Sequence, residues 1–194
     1  QGDAVRTIAR TLFVVSLLLP HMAQAEGYFF GGAGLGYLQS SLELNTTKSD
    51  FRGSSYFLTT GLVMGGGQGA GMGLLVKGEY GRGHARNTLT SATYMETADT
   101  SFMAAKAGVM FGNLTFGGGY RMTELEIKSL STTTGLVTKK HEDGTPVYFI
   151  SYTVPNPKLL RTEVELQYIS GKLGPVEYQE ISLSLSLSLT NNSN

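Results

Sequence analysis

Residues 181–189 carry isoleucine or leucine at every odd position and serine at every even one. A strand turns successive side chains to opposite faces, so this stretch forms one wholly apolar face and one lined by hydroxyls. A helix would scatter the leucines around its circumference. The fold must therefore set something apolar, protein core or lipid, against one side of this strand and something polar against the other.

The same alternation occurs upstream. In residues 27–44, Phe29, Ala33, Leu35 and Tyr37 share one parity and Gly32, Gly34 and Gly36 the other. Further strands are predicted over about 54–64, 72–81, 100–111, 114–127, 146–154, 158–169 and 176–189. Segments 45–53, 82–99 and 128–145 are polar and read as loops, and 171–175 as a short loop. Residues 65–71, Gly112-Asn113 and Pro155-Asn156-Pro157 read as tight turns. No helical segment intervenes, so neighbours joined by short links are antiparallel. Short links on one side and longer ones on the other, with an even strand number, predict an all-β, eight-stranded antiparallel up-and-down transmembrane β-barrel over residues 26–190, with a polar tail at 191–194.

Three features assign the apolar face to lipid. Lys77, Glu79, Lys106, Arg121, Arg161, Glu163, Glu165 and Glu180 all share the opposite face. A cation on the lipid side near the midplane costs about 2–4 kcal/mol, so a membrane barrel must clear it. These residues are four positive against four negative and are expected to fill the interior as a neutral ion-pair layer. Tyr37, Tyr56, Tyr80, Tyr120, Tyr148 and Tyr168 lie at the long-loop ends of the apolar faces, with Phe29, Phe111 and Phe116 at the turn ends, predicting two aromatic belts. The 26 glycines are spread through the strands and point to curvature or close side-chain layers.

Ahead of the strands, Arg6 and Arg10 precede an apolar run over residues 11–19, Pro20 and the small-x-small sequence Ala23-Gln24-Ala25. This reads as a secretory signal peptide over residues 1–25, cleaved between Ala25 and Glu26, and implies export from the cytoplasm, which together with the barrel places the mature chain in the bacterial outer membrane. Balanced charge offers no basic surface for nucleic acid, and the absence of cysteine removes disulfides and thiolate chemistry.

The strand layout and the inward charged layer resemble the small outer-membrane barrels of the OmpA/OmpX type, over residues 26 to about 190. The resemblance implies a monomer without an open pore, in contact with outer-membrane lipid, lipopolysaccharide and the outer-membrane assembly machinery. The leading expectation is a structural or adhesion-like role, with an unidentified surface partner met by the long loops at 82–99 and 128–145. Family members usually end the last strand on an aromatic residue, where this chain has Leu189. Arg82, Arg86, Lys128, Lys139 and Lys140 would stand at the outer rim, placed to meet lipopolysaccharide phosphates.

Alternative functions are a narrow channel gated by the charged layer, a lipid A-modifying enzyme, and a soluble periplasmic ligand-binding barrel with the leucines inside. For an enzyme, His84 lies between Arg82 and Arg86 without a serine at a helpful spacing along the chain, and His141 sits in a run of charged residues. No catalytic residues are assigned. Glu163 and Glu165 are expected to be ion-paired rather than an acid–base couple. The sequence Gly32-Ala33-Gly34-Leu35-Gly36 lacks the helix and acidic partner of a dinucleotide site. No cofactor or metal is expected.

Overall fold

A computed structural model describes residues 27–44, 47–65, 72–88, 94–131, 135–155 and 160–191. The signal peptide expected over residues 1–25 lies outside them, as do residues 192–194 of the tail. The described residues form strands β1 (Gly27–Leu44), β2 (Thr47–Gly65), β3 (Met72–Asn87), β4 (Tyr94–Phe111), β5 (Leu114–Ser131), β6 (Gly135–Val154), β7 (Leu160–Leu173) and β8 (Val176–Thr190). Each pairs antiparallel with its neighbours, and β1 pairs with β8, so the sheet closes into a barrel of eight strands.

The register sets the barrel's shape. Passing from Phe29 through Leu62, Val76, Ala107, Gly118, Tyr148, Tyr168 and Ile181, the ladder returns to β1 at Gln39, a displacement of ten residues (29 to 39). At about 3.3 Å rise per residue and about 4.8 Å between strands, that stagger tilts the strands by about 40°. The six tyrosines of the expected outer belt all point outward. All but one of the links between successive members step down the register by two residues, which keeps the ring level when strands are tilted. Phe29, Phe111 and Phe116 are exposed at the other end, the last two in edge-to-face contact with centroids 6.5 Å apart. Between the rings the outward positions hold no charge, and the Thr60 hydroxyl there donates to the Phe30 carbonyl at 3.2 Å.

The strands run further than the alternation predicts. Segments 45–53, 82–99 and 128–145, read as loops, are mostly strand: β2 starts at Thr47, β3 continues to Asn87, β4 starts at Tyr94, β5 ends at Ser131 and β6 begins at Gly135. Their polarity reflects outward side chains in water above the belt and small or polar inward ones such as Gly83, Ala85 and Asn87, while the backbone ladder continues. β5 extends eleven residues past Tyr120 (120 to 131), roughly 25–30 Å along the tilted axis. Ladder β6–β7 begins only at Val147–Ile169, so residues 135–146 of β6 pair with β5 alone. The outer part of β6, backed by β5 and β4, is therefore a wall that rises past the end of β7.

Inward glycines make room for rings. A Cβ on Gly34 would lie 2.3 Å from the Phe57 ring, and one on Gly117 would lie 2.6 Å from Phe149 and 2.3 Å from the Ala107 carbonyl. Outward Gly31 is different, with nothing nearer than 4.0 Å. Gly117→Ala should thus destabilise the barrel by about 1–3 kcal/mol, whereas Gly31→Ala should leave it within about 0.5 kcal/mol. Reversible urea unfolding of the refolded protein in lipid vesicles would measure both, and equal losses would contradict this packing.

Candidate functional site

The lumen is filled in layers. Nearest the amino end, Phe30, Val63, Leu75, Met110 and Phe149 form an apolar cluster with Tyr28 against it. Toward the outer end a second cluster contains Leu38, Leu42, Phe51, Ala85, Ala98, Leu125, Val147, Ile169, Leu173, Val176 and Tyr178. Leu173 and Val176 reach it because β7 and β8 turn tightly at Gly174, whose φ of 60° suits glycine. Between these clusters lie the charged residues.

All eight charged residues proposed for the interior layer are buried, and the fold divides them into two groups. In the larger, the Lys77 ammonium donates to Glu163 at 2.7 Å and Glu165 at 2.5 Å and lies 3.3 Å from Glu79. Lys106 donates to Glu79 at 2.6 Å and Glu165 at 2.7 Å. Arg161 donates to Glu163 through Nη2 at 2.6 Å and Nε at 3.1 Å, and to the Tyr28 hydroxyl at 2.9 Å. Arg121 instead pairs with Glu180 at 2.8 Å, and the Tyr178 hydroxyl also donates to Glu180. Rings cover the cations: Phe149 lies 5.2 Å from Lys77 and 5.7 Å from Lys106, and Phe102 lies 4.0 Å from the Arg121 guanidinium. Ser182, Ser184, Ser186 and Ser188 face the lumen from β8 and are buried.

This arrangement binds charge to charge and, with the two apolar clusters, fills the lumen with buried side chains. Glu163 and Glu165 each bridge two cations. The apolar clusters are the part that alternation alone missed. Their signal is the loss of alternation at strand ends: Tyr28-Phe29-Phe30, Leu62-Val63-Met64, Leu74-Leu75-Val76 and Val109-Met110-Phe111 are apolar on both faces. Aromatic residues inside the lumen are the counterpart of the inward glycines.

A second group lies outside, above the tyrosine ring. His84 Nδ1 lies 2.6 Å from Asp99, and Lys128 donates to Asp99 at 2.8 Å and lies 3.3 Å from Glu126. Lys140 is 3.1 Å from Glu126. Of the five residues proposed for lipopolysaccharide, Lys128 and Lys140 are thus already paired, and Lys139 is exposed on the protruding part of β6. Arg82 and Arg86 point outward from β3, and Arg52, assigned to a loop by the sequence, stands on β2 directly opposite Arg86. Ser54 faces His84 across the same ladder, a proximity that spacing along the chain concealed. No hydrogen bond joins Ser54 to His84, so the triad-like row with Asp99 is not assembled. His141 lies near the β7–β8 turn, its Nδ1 3.7 Å from the position a Gly174 Cβ would take.

Partial burial alone would raise the Asp99 carboxyl, but hydrogen bonds from Lys128 and His84 and the charge of Lys128 outweigh it and hold it below the usual value. Hydrogen bonds from Lys140 and Lys128 likewise hold Glu126 low, and those to Asp99 and Glu126 raise Lys128.

No protein-family model matches the chain, and no curated protein matches it in sequence. Among solved structures, Neisserial surface protein A shares the fold with a TM-score of 0.53 and 12% identity, over 83% of this chain and 96% of that one. The attachment invasion locus protein Ail of Yersinia pestis, solved in complex with the heparin analogue sucrose octasulfate, aligns at 0.48 and 15% identity over 84% and 98%. Outer membrane protein OprG of Pseudomonas aeruginosa aligns at 0.43 and 9% over 89% and 99%. The fold is that of a small outer-membrane β-barrel.

Two outcomes follow from these contacts. Glu165→Gln leaves Lys77 and Lys106 short of a buried counter-charge and should cost about 3–5 kcal/mol in urea unfolding; a loss below about 1 kcal/mol would show that the layer is not energetically coupled. On the outer wall, the depressed Asp99 stabilises above its ordinary pKa of 3.8 and stops doing so as pH falls through its lower folded value. The raised Lys128 stabilises below its ordinary 10.5 and stops as pH rises through its higher folded value. Amide exchange near Asp99 and Lys128, corrected for intrinsic rates, should hold from about pH 5 to about pH 9 and speed up below about pH 4. Loss beginning near neutrality would contradict the pairing.

Proposed function

We propose that this chain is an integral protein of the bacterial outer membrane, monomeric and closed to solutes, that anchors and displays the β4–β6 wall to a partner outside the cell. The observation that carries this reading is the filled lumen, with buried apolar clusters on both sides of a neutral charged layer. Conduction would require several buried ion pairs and two apolar plugs to open together, which disfavours the gated-channel alternative. The uncharged outward band between aromatic rings suits lipid, and a soluble barrel would leave that band in water. The basic and apolar pattern ahead of Ala25 supports export.

Interaction is assigned to the wall because, among the described residues, β5 and β6 run furthest above the tyrosine ring. Its free β6 edge carries Lys139, Lys140, Glu142, Asp143 and Pro146, which discourages indiscriminate strand pairing. A partner for this surface is therefore polar and of mixed charge. Lipid and lipopolysaccharide surround the band, and the assembly machinery inserts it.

The chain has no cysteine, so Thr138→Cys on the wall provides a unique label. On intact cells it should react with a membrane-impermeant maleimide, and the protein should fractionate with outer membranes and show heat-modifiable gel mobility. Planar bilayers containing it should show no conductance steps. Labelling only after lysis, recovery in the soluble fraction, or regular conductance steps would each refute a named part of this proposal.

A further inference from the structure

Three outward arginines, Arg52 on β2 and Arg82 and Arg86 on β3, stand together above the tyrosine ring. Arg52 and Arg86 are register partners, so their Cβ atoms lie about 5 Å apart, and like charges directly opposite destabilise a ladder. No ion pair or hydrogen bond to a described residue relieves any of the three. The nearest acidic group on the next strand, Asp99, is taken by His84 and Lys128. Asp50, two residues from Arg52 on the same face, makes no ion pair with it. The contrast with the β4–β6 side is sharp, since Lys128 and Lys140 are neutralised by Asp99 and Glu126.

Height selects the ligand. Arg82 stands two residues above Tyr80 on β3, Arg86 six, and Arg52 four above Tyr56 on β2. At about 2.5 Å of axial rise per residue, they span from about 5 to about 15 Å beyond the ring, the depth of the headgroups. Guanidinium groups bind phosphate bidentately, and two on adjacent strands can share one group. Below them Thr60 and Gly78 are register partners, and the outward face at Gly78 is low, a Cβ there meeting nothing nearer than 3.9 Å. That leaves space for acyl chains beneath the arginines.

We propose that Arg52, Arg82 and Arg86 form a site for the phosphates of a multiply acylated glycolipid of the lipid A class in the outer leaflet. The site rests on the outer-membrane reading and deepens it: one side of the barrel holds lipid while the other carries the wall. Lys128 and Lys140 do not belong to it.

The test uses the refolded full barrel in detergent micelles, with heat-modifiable mobility confirming its fold. The probes are bis-phosphorylated lipid A, dephosphorylated lipid A, phosphatidylglycerol and inorganic phosphate. R52Q/R86Q should weaken bis-phosphorylated lipid A at least about tenfold, R52K/R86K should fall between, and K128Q/K140Q should bind as the parent does. Dephosphorylated lipid A and phosphatidylglycerol should bind the parent no better than bis-phosphorylated lipid A binds R52Q/R86Q, and millimolar inorganic phosphate should not displace the lipid. Equal binding by parent and R52Q/R86Q overturns the site, and displacement by inorganic phosphate overturns its assignment to a lipid. Insertion of the same refolded barrel into lipid vesicles is scored before binding, and a barrel that does not insert would overturn the outer-membrane reading first, an outcome distinguishable from loss of lipid binding.

Discussion

Closure of the backbone ladder is the constraint on which everything else depends. In hydrocarbon an unpaired amide or carbonyl costs several kcal/mol, so a sheet placed there must have no edge. Here the ring closes through β1 and β8, from Phe30–Thr190 to Glu43–Glu177. Asn191 extends the seam, its backbone amide donating to the Phe29 carbonyl while its side-chain oxygen accepts from the Phe29 amide. Eight strands with a stagger of ten then leave an interior that side chains alone can fill.

That interior has to reconcile two demands. Carboxylates and ammonium groups lose water on burial, which is tolerable only with close partners and net neutrality. Glu165 between Lys77 and Lys106, and Glu163 between Lys77 and Arg161, meet it by sharing. The apolar clusters at either end exclude water, which strengthens each of these attractions. Small residues on the facing walls, such as Gly34 beside Phe57 and Gly117 beside Phe149, let rings and charges occupy one narrow bore.

Above the tyrosine ring the same strands meet a different solvent and are organised by other rules. Hydrogen bonding continues, but the apolar alternation fades because outward side chains such as Arg82, His84 and Arg86 meet water while the buried inward ones opposite them are small or polar, as at Gly83, Ala85 and Asn87. That is why segments 82–99 and 128–145 look like loops in sequence and are mostly β-structure in space. Loop assignment from polarity confuses the absence of an apolar face with the absence of a strand. It also hid Arg52, whose neighbour Arg86 lies 34 positions away in the chain (52 to 86) and directly across the ladder.

The sequence by itself determined the barrel, its strand order and the outward face. Period-two patterning has only one physical meaning in residues 181–189, and a face without charge on eight successive strands requires an apolar surrounding. It also put Lys77, Glu79, Lys106, Arg121, Arg161, Glu163, Glu165 and Glu180 on the inward parity. Only the tertiary structure decided which of them meet: parity gives a face, whereas partners depend on register and on the width of the bore. The same holds for the apolar plugs, the standing wall and the unpaired arginines, because each depends on residues brought together across strands by the stagger of the closed ladder.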